Sequence, residues 1–155
     1  ETKGVFWGEG VAFFVLSSDK TENSYAKVGD IKIINTLEVD EIQNEAIEFL
    51  RKNNLESKDV DAVVLGFSGD AESDKFCLKL QTIFENNQQL YYKHLSGGCN
   101  TSSSFAIFMA CHILKKQRIP EVMKINHLEE KPINNILIYN NFLGKDHSFT
   151  LLKKV

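Results

Sequence analysis

Asp61-Ala62-Val63-Val64-Leu65-Gly66 decides the fold of this chain. The run Ala62 to Leu65 is apolar at every position, rich in β-branched residues and bounded by polar segments, the pattern of a short strand buried on both faces. A strand of that kind reads as a central, parallel member of a sheet with helices on each side. Gly66 ends it. Upstream, Ile42, Ala46, Ile47 and Leu50 recur at helical spacing after Asp40, and Gln43 three residues beyond Asp40 resembles a capping box. That helix is predicted to stop near Asn53-Asn54. Downstream, Ser73 is placed to cap a second helix carrying Phe76, Leu80, Ile83 and Phe84, followed by a tyrosine-rich strand over Gln89 to Lys93.

Farther out, Leu95 to Ser104 holds glycines and small hydroxyl residues and feeds an apolar helix from about Ser103 to Lys116, closed by Pro120. Asn135 to Tyr139 and Ser148 to Val155 read as two last strands joined by Asn140 to His147. At the other end, Gly4 to Ser17 and Tyr25 to Thr36 read as strands of an opening hairpin around the polar stretch Ser18 to Ser24. The order is ββ-α-β-α-β-α-ββ. It implies an α/β fold with a mixed, mostly parallel sheet and helices packed on it, one domain over 1–155.

Composition excludes several classes. With 43% hydrophobic and 25% charged residues over 155 positions, the chain is an ordinary globule rather than a disordered or fibrous one. Lys plus Arg total 18 against 21 acidic residues, net −3, and no stretch gathers them on one face, so nucleic acid is not expected as a partner. The longest apolar run, Val11 to Leu16, is far short of a membrane helix. Cys77, Cys99 and Cys111 have no CxxC spacing, which suggests neither a disulfide framework nor a metal site and fits a reducing cytoplasm. The chain opens at Glu1 without methionine and goes straight into a strand-like pattern, as a piece of something longer would.

Gly4-Val5-Phe6-Trp7-Gly8-Glu9-Gly10-Val11-Ala12 before an apolar strand resembles the GEGA segment at the start of the C-terminal half of β-ketoacyl synthases. The order of segments after it resembles the same family: an amphipathic helix, Leu55-Glu56-Ser57-Lys58-Asp59-Val60-Asp61-Ala62-Val63-Val64, a glycine-bearing loop, a helix, then Lys93 before Ser96-Gly97-Gly98. Asn141-Phe142-Leu143-Gly144-Lys145-Asp146-His147 stands where the family has its glycine-rich turn. The resemblance implies half of a thiolase-type fold, with five strands in its mixed, mostly parallel sheet and no cofactor.

For that family, the resemblance implies condensation by a cysteine nucleophile at a helix N-terminus, with two polarising groups, usually histidines, stabilising the enolate and the oxyanion. The nucleophile belongs to the other half. The first histidine position falls on Gly66, or on Leu65 with a one-residue slip, and the second on Gly98; the family lysine is retained as Lys93. No catalytic residue is therefore assigned, and this chain alone is expected not to condense. Ser68, Lys93, His94, Cys99 and His147 are the candidates for the former cleft, His147 because it comes just after the last turn. Cys99 enters a helix after Gly97-Gly98, where a thiol can be activated; it reads either as a nucleophile or as an inert small cysteine. Cys77 and Cys111 lie in apolar helix patterns and read as core.

These residues admit three functions. The first is the C-terminal domain of a catalytically degenerate synthase, a non-condensing partner of the chain-length-factor kind in fatty acid or polyketide synthesis. Its partners would be an N-terminal synthase half or an active synthase subunit, with acyl carrier protein met indirectly. The second is a thiol-based acyl transferase or hydrolase using Cys99 or a nucleophile outside this segment. The third is an unrelated α/β binding module. An isolated half would expose the surface that packs on its mate, so homo- or hetero-oligomerisation is expected.

Overall fold

The computed structural model describes residues 7–155. Five strands form one mixed sheet: β1 (Lys27–Ile34), β2 (Ala62–Leu65), β3 (Gln88–Tyr91), β4 (Asn135–Phe142) and β5 (Lys145–Lys153), in the order β1-β5-β4-β2-β3. β2 pairs parallel with both β3 and β4, and β5 runs antiparallel between β4 and β1, so four strands share one direction and β5 opposes them. The expectation of a mixed, mostly parallel five-stranded sheet holds. The helices are α1 (Ile42–Lys52), α2 (Ala71–Gln81), the single turn α3 (Lys93–Ser96) and α4 (Ser102–Lys116).

The pleat of β2 divides the molecule into two cores. Val63 and Leu65 point to one face, where Leu137, Tyr139, Phe149 and Leu151 meet Ile42, Phe49 and Leu50 of α1 and Phe76, Cys77 and Leu80 of α2. Ala62 and Val64 point to the other, where Ile136, Ile138 and Leu152 meet Ala106, Ala110, Ile113 and Leu114 of α4. All four residues of β2 are fully buried. A strand buried on both faces must be apolar at every position, and this one is.

Two helix starts differ from the sequence reading. α1 is preceded by a 3-10 turn, Val39–Glu41, and the reciprocal pair is Glu38 with Glu41, whose carboxylate accepts the Glu38 N–H at 2.9 Å. Gln43 is drawn away from any cap because its amide spans to α2, donating to the Lys79 carbonyl at 3.0 Å and to Thr82 Oγ1 at 2.7 Å. The cap of α2 is Asp70: its Oδ2 accepts the Ser73 N–H at 3.0 Å and the Ser73 hydroxyl at 2.7 Å. Ser73 lies inside the first turn, where its N–H and hydroxyl donate to the cap, and the Asp70 carboxylate also complements the helix dipole.

The opening hairpin is not formed. Gly4 to Phe6 lie outside the described residues, and from Trp7 to Ser17 the only sheet-like contact among the described residues is a bridge from Trp7 to Gly98. β1 pairs instead with β5 over its whole length. An all-apolar run such as Val11 to Leu16 gains from burial on both faces, which the open edge beyond β1 does not supply. The last two strands are longer than expected and meet in the two-residue turn Leu143-Gly144, with φ of 54° and 66°. Positive φ at both positions is the geometry whose twist matches a hairpin, and it shortens the expected connection of Asn140 to His147. Among the described residues, no helix is long and apolar enough to cross a membrane.

Asp70→Ala should remove both bonds at the start of α2 and lower stability by about 1 kcal/mol, read as a fall in the urea midpoint without a change in slope.

Candidate functional site

The connection from β2 through α2 leads to β3 on one side, and that from β3 through α4 returns to β4 on the other. The two crossovers leave the ends of the neighbouring strands β2 and β3 for opposite faces of the sheet, and the crevice lies beyond those strand ends. In open α/β sheets this is where ligands bind. Gly66, the loop after it, the β3–α4 connection and the β4–β5 turn converge there.

Gly66 donates its N–H to the Tyr139 carbonyl at 3.0 Å, prolonging the β2–β4 pairing by one residue. A side chain at position 66 has no room. Its Cβ would stand 2.8 Å from Asn140 Oδ1 and 3.2 Å from both the Asn140 Cα and the Tyr139 oxygen. The Asn140 amide oxygen is held in place by the hydroxyl of fully buried Tyr92, which donates to it at 2.9 Å. The next residue, Asn141, donates from Nδ2 to the Ser73 carbonyl at 3.2 Å and accepts the Gly144 N–H at 3.1 Å.

The loop after Gly66 is folded around one carboxylate. Asp74 Oδ1 accepts the Ser68 N–H at 2.7 Å and the Ser68 hydroxyl at 3.0 Å, and Oδ2 accepts the Gly69 N–H at 2.9 Å. The Ser68 hydroxyl proton is thereby committed to the loop. Lys93 is buried, and its ammonium donates to the Asn141 carbonyl at 3.4 Å. Burial pushes its pKa below the usual lysine value, with Cys77, Asp74 and Cys99 opposing the shift.

Just before Gly98 two backbone segments cross. The Trp7-Gly8 segment crosses Ser96-Gly97-Gly98 so closely that a Cβ on Gly8 would fall 2.0 Å from the Ser96 oxygen, and one on Gly97 (φ 72°) would fall 2.5 Å from the Gly8 Cα. Gly8 donates its N–H to the Gly98 carbonyl at 3.2 Å, and Thr101 Oγ1 donates to the Gly10 carbonyl at 2.5 Å. Thr101 therefore ties down the incoming segment rather than capping α4 with its side chain.

What remains open is a cavity of about 30 Å³ lined by Trp7, Ser68, Ser73, Gly98, Cys99, Phe142 and Leu143. That volume accommodates a water or two and no acyl chain. Cys99 is half-buried there, its Sγ 3.4 Å from Thr101 Oγ1. A larger open groove of about 380 Å³ lies along Phe67, Gln81, Tyr91, Lys124 and Ile125 and contains none of the residues singled out from sequence.

The structure thus brings Ser68, Gly98 and Cys99 together with the last turn and buries Lys93 close by. Two candidates are placed elsewhere. His94 is exposed on the opposite side of α3, stacked on Tyr91 with ring centroids 3.9 Å apart and with Nε2 2.9 Å from the Val122 carbonyl. The helical turn that begins at Lys93 directs adjacent residues apart. His147 is fully buried in the core shared with α2: Nδ1 lies 2.8 Å from the Tyr139 hydroxyl, the ring is 4.5 Å from Phe76, and Nε2 has no partner among the described residues. The short turn starts β5 early and carries His147 into the ladder opposite Ile34. Burial pushes its imidazole below the ordinary histidine value, with the Gly144 backbone and Asp146 opposing. Cys77 is core, its thiol pushed well up by burial. Sequence reasoning missed Tyr92, Asn140 and Asn141; the signal available was a pair of asparagines closing an otherwise apolar strand.

No family model and no curated protein sequence matches the chain. Solved structures do. The PfaC ketosynthase–chain length factor superposes with a TM-score of 0.67 at 16% identity, over 88% of this chain and 14% of that one. The ishigamide ketosynthase/chain length factor gives 0.64 at 12%, over 84% and 38%. Human mitochondrial 3-ketoacyl-CoA thiolase gives 0.51 at 12%, over 84% and 31%. The fold is thiolase-like, of the ketosynthase type that the sequence resembles, and the chain spans well under half the length of each of these structures.

Gly66→Ala should cost about 1–3 kcal/mol in urea unfolding, because Asn140 and the backbone beneath it must both give way. As for pH, His147 has a folded pKa below its unfolded value of about 6.5, so the unfolded chain binds the proton more readily. Stability should be full above that pH and decline as pH falls below it. His147→Gln should flatten the decline in unfolding curves taken between pH 7.5 and 5.

Proposed function

We propose that this chain is the C-terminal domain of a β-ketoacyl synthase-like protein that does not condense, acting as a chain-length-factor-like partner of an active synthase in fatty acid or polyketide synthesis. The observation that carries the reading is the crevice at the end of β2. Where the resemblance calls for two polarising histidines stand Gly66 and Gly98, and the space beside Gly66 is taken by Asn140. In related chemistry each missing oxyanion donor costs about 10²–10³ in rate, so the loss of two leaves no effective condensation. A cavity of about 30 Å³ adds no room for an acyl group beside Cys99.

The role of partner is supported by what the fold leaves uncovered. Val11, Phe13, Val15 and Leu16 are 73%, 91%, 101% and 83% exposed. Ile31 and Ile33 on β1 and Phe108 on α4 are exposed as well. α4 is apolar on nearly every side, the character of a helix covered all round, although only one face of it is buried here. Surfaces of this kind mark an interface. The ketosynthase/chain length factor structures that share the fold are named for such a pairing. Acyl carrier protein would then be met chiefly through the active subunit.

Co-expression of the chain with an intact synthase, and separately with the N-terminal half of one, should give a stoichiometric complex on size exclusion without condensing activity from this chain's own crevice. A monodisperse monomer in sedimentation at high concentration, together with no capture of either partner, would sink the reading.

A further inference from the structure

The β4–β5 hairpin sets His147 into the core and closes with its turn over the half-buried thiol of Cys99. We infer that His147 is an acid-sensitive latch: protonating it lifts the Leu143-Gly144 turn from α2 and opens to solvent the small cavity that holds Cys99.

The imidazole ring is fully buried. Nδ1 faces the Tyr139 hydroxyl at 2.8 Å, whereas Nε2 has no partner among the described residues. An imidazolium carries a donor on each nitrogen, and one left bare in the core bears a desolvation cost that water would remove. Of the titratable groups on the elements around the ring, Cys77 on α2 and Tyr139 on β4 share its core. Asp74 is bonded to Ser68 and Gly69, and Lys32 on β1 to Glu45 on α1. Lys145 and Asp146 precede the ring on β5, both exposed. Burial outweighs the Gly144 backbone and Asp146, which favour the cation. The charged ring is therefore better accommodated in any state that lets water reach Nε2.

The smallest movement that admits water is that of the turn itself. It rests on α2: a Cβ on Gly144 would lie 3.7 Å from the Phe76 ring and 4.0 Å from the Ser73 Cα, and the same Phe76 ring packs on the imidazole, centroids 4.5 Å apart. The bonds that hold it are few. Asn141 Nδ2 donates to the Ser73 carbonyl at 3.2 Å, the Gly144 N–H to Asn141 Oδ1 at 3.1 Å, and the Asp146 N–H to the Asn35 carbonyl at 3.1 Å. Two residues other than glycine, Leu143 and Asp146, sit at φ of 54° and 42°, left-handed positions that lifting would relax. Ser73, Phe142 and Leu143 also wall the cavity beside Cys99, so the movement that wets Nε2 uncovers the thiol. The latch goes beyond the non-condensing reading and does not depend on it.

The test follows dithiodipyridine labelling of the cysteines of the full chain between about pH 7.5 and 5, each site resolved by peptide mass spectrometry. Every rate is divided by that of an unstructured cysteine peptide at the same pH. On that scale Cys99 should label at least about fivefold faster at the acid end. Cys111 on α4, which packs on the other face of the sheet, should stay level. His147→Gln should hold Cys99 level too, and His147→Leu serves the same purpose if glutamine unfolds the hairpin. A level Cys99 in the parent chain, a rise shared by Cys111, or a rise that persists in a folded variant would overturn the inference.

Discussion

Ala62 to Leu65 has neither a free edge nor a free face: its backbone bonds go to β3 and β4, and its side chains alternate between two cores. Everything else is arranged around that burial. A four-residue strand with no exposed side chain can be covered only by helices on both faces, so α2 must pass over one and α4 over the other. Two crossovers leaving in opposite directions from neighbouring strands open a crevice at the strand end. The burial of β2 therefore sets the location of the site, before any residue in it is considered.

The chemistry of the crevice is set by packing in the same way. Gly8 and Gly97 are required where two backbones cross almost in contact, and Gly66 is required where β4 turns its asparagine inward. A glycine at a former donor position is easily read as simple loss. Gly66 lies in a place from which a side chain is excluded, so replacing it by histidine alone would return a functional group to a space already filled. Loss of the donor and closure of the space are one structural fact.

Much of the fold was legible in the sequence because long apolar periodicities report burial directly. The β2 run, the α1 stripe ending at Asn53, and the apolar α4 all fell where their patterns put them. Signals one residue deep were less secure. Asp40 and Ser73 are good capping residues, but Glu38 and Asp70 are held in better geometry by the chain before them. The pattern of Val11 to Leu16 reads as a strand with both faces buried, yet sequence cannot say which sheet would receive it, and among the described residues none does. At the site, Gly66, Gly98, Lys93, Ser68 and Cys99 were placed together because loops at strand ends converge. His94 and His147 were not separable by spacing, since one helical turn and one short hairpin decide where they point. Asn140 was invisible because its role depends on an absence opposite it.

Rebuilding the last turn changes the fate of His147. A connection of eight residues would have left it at the surface; the two-residue turn Leu143-Gly144 extends the β4–β5 ladder and draws it inside. An imidazole in that position can bond Tyr139 through Nδ1 and still leave Nε2 without a partner among the described residues, an arrangement that costs the core a desolvated polar atom of about 1–3 kcal/mol. The same turn delivers Phe142 and Leu143 to the small cavity beside Cys99. The hairpin that fills the crevice from one side thus buries the histidine on the other, and the polar cost in the core accompanies the closure of the site.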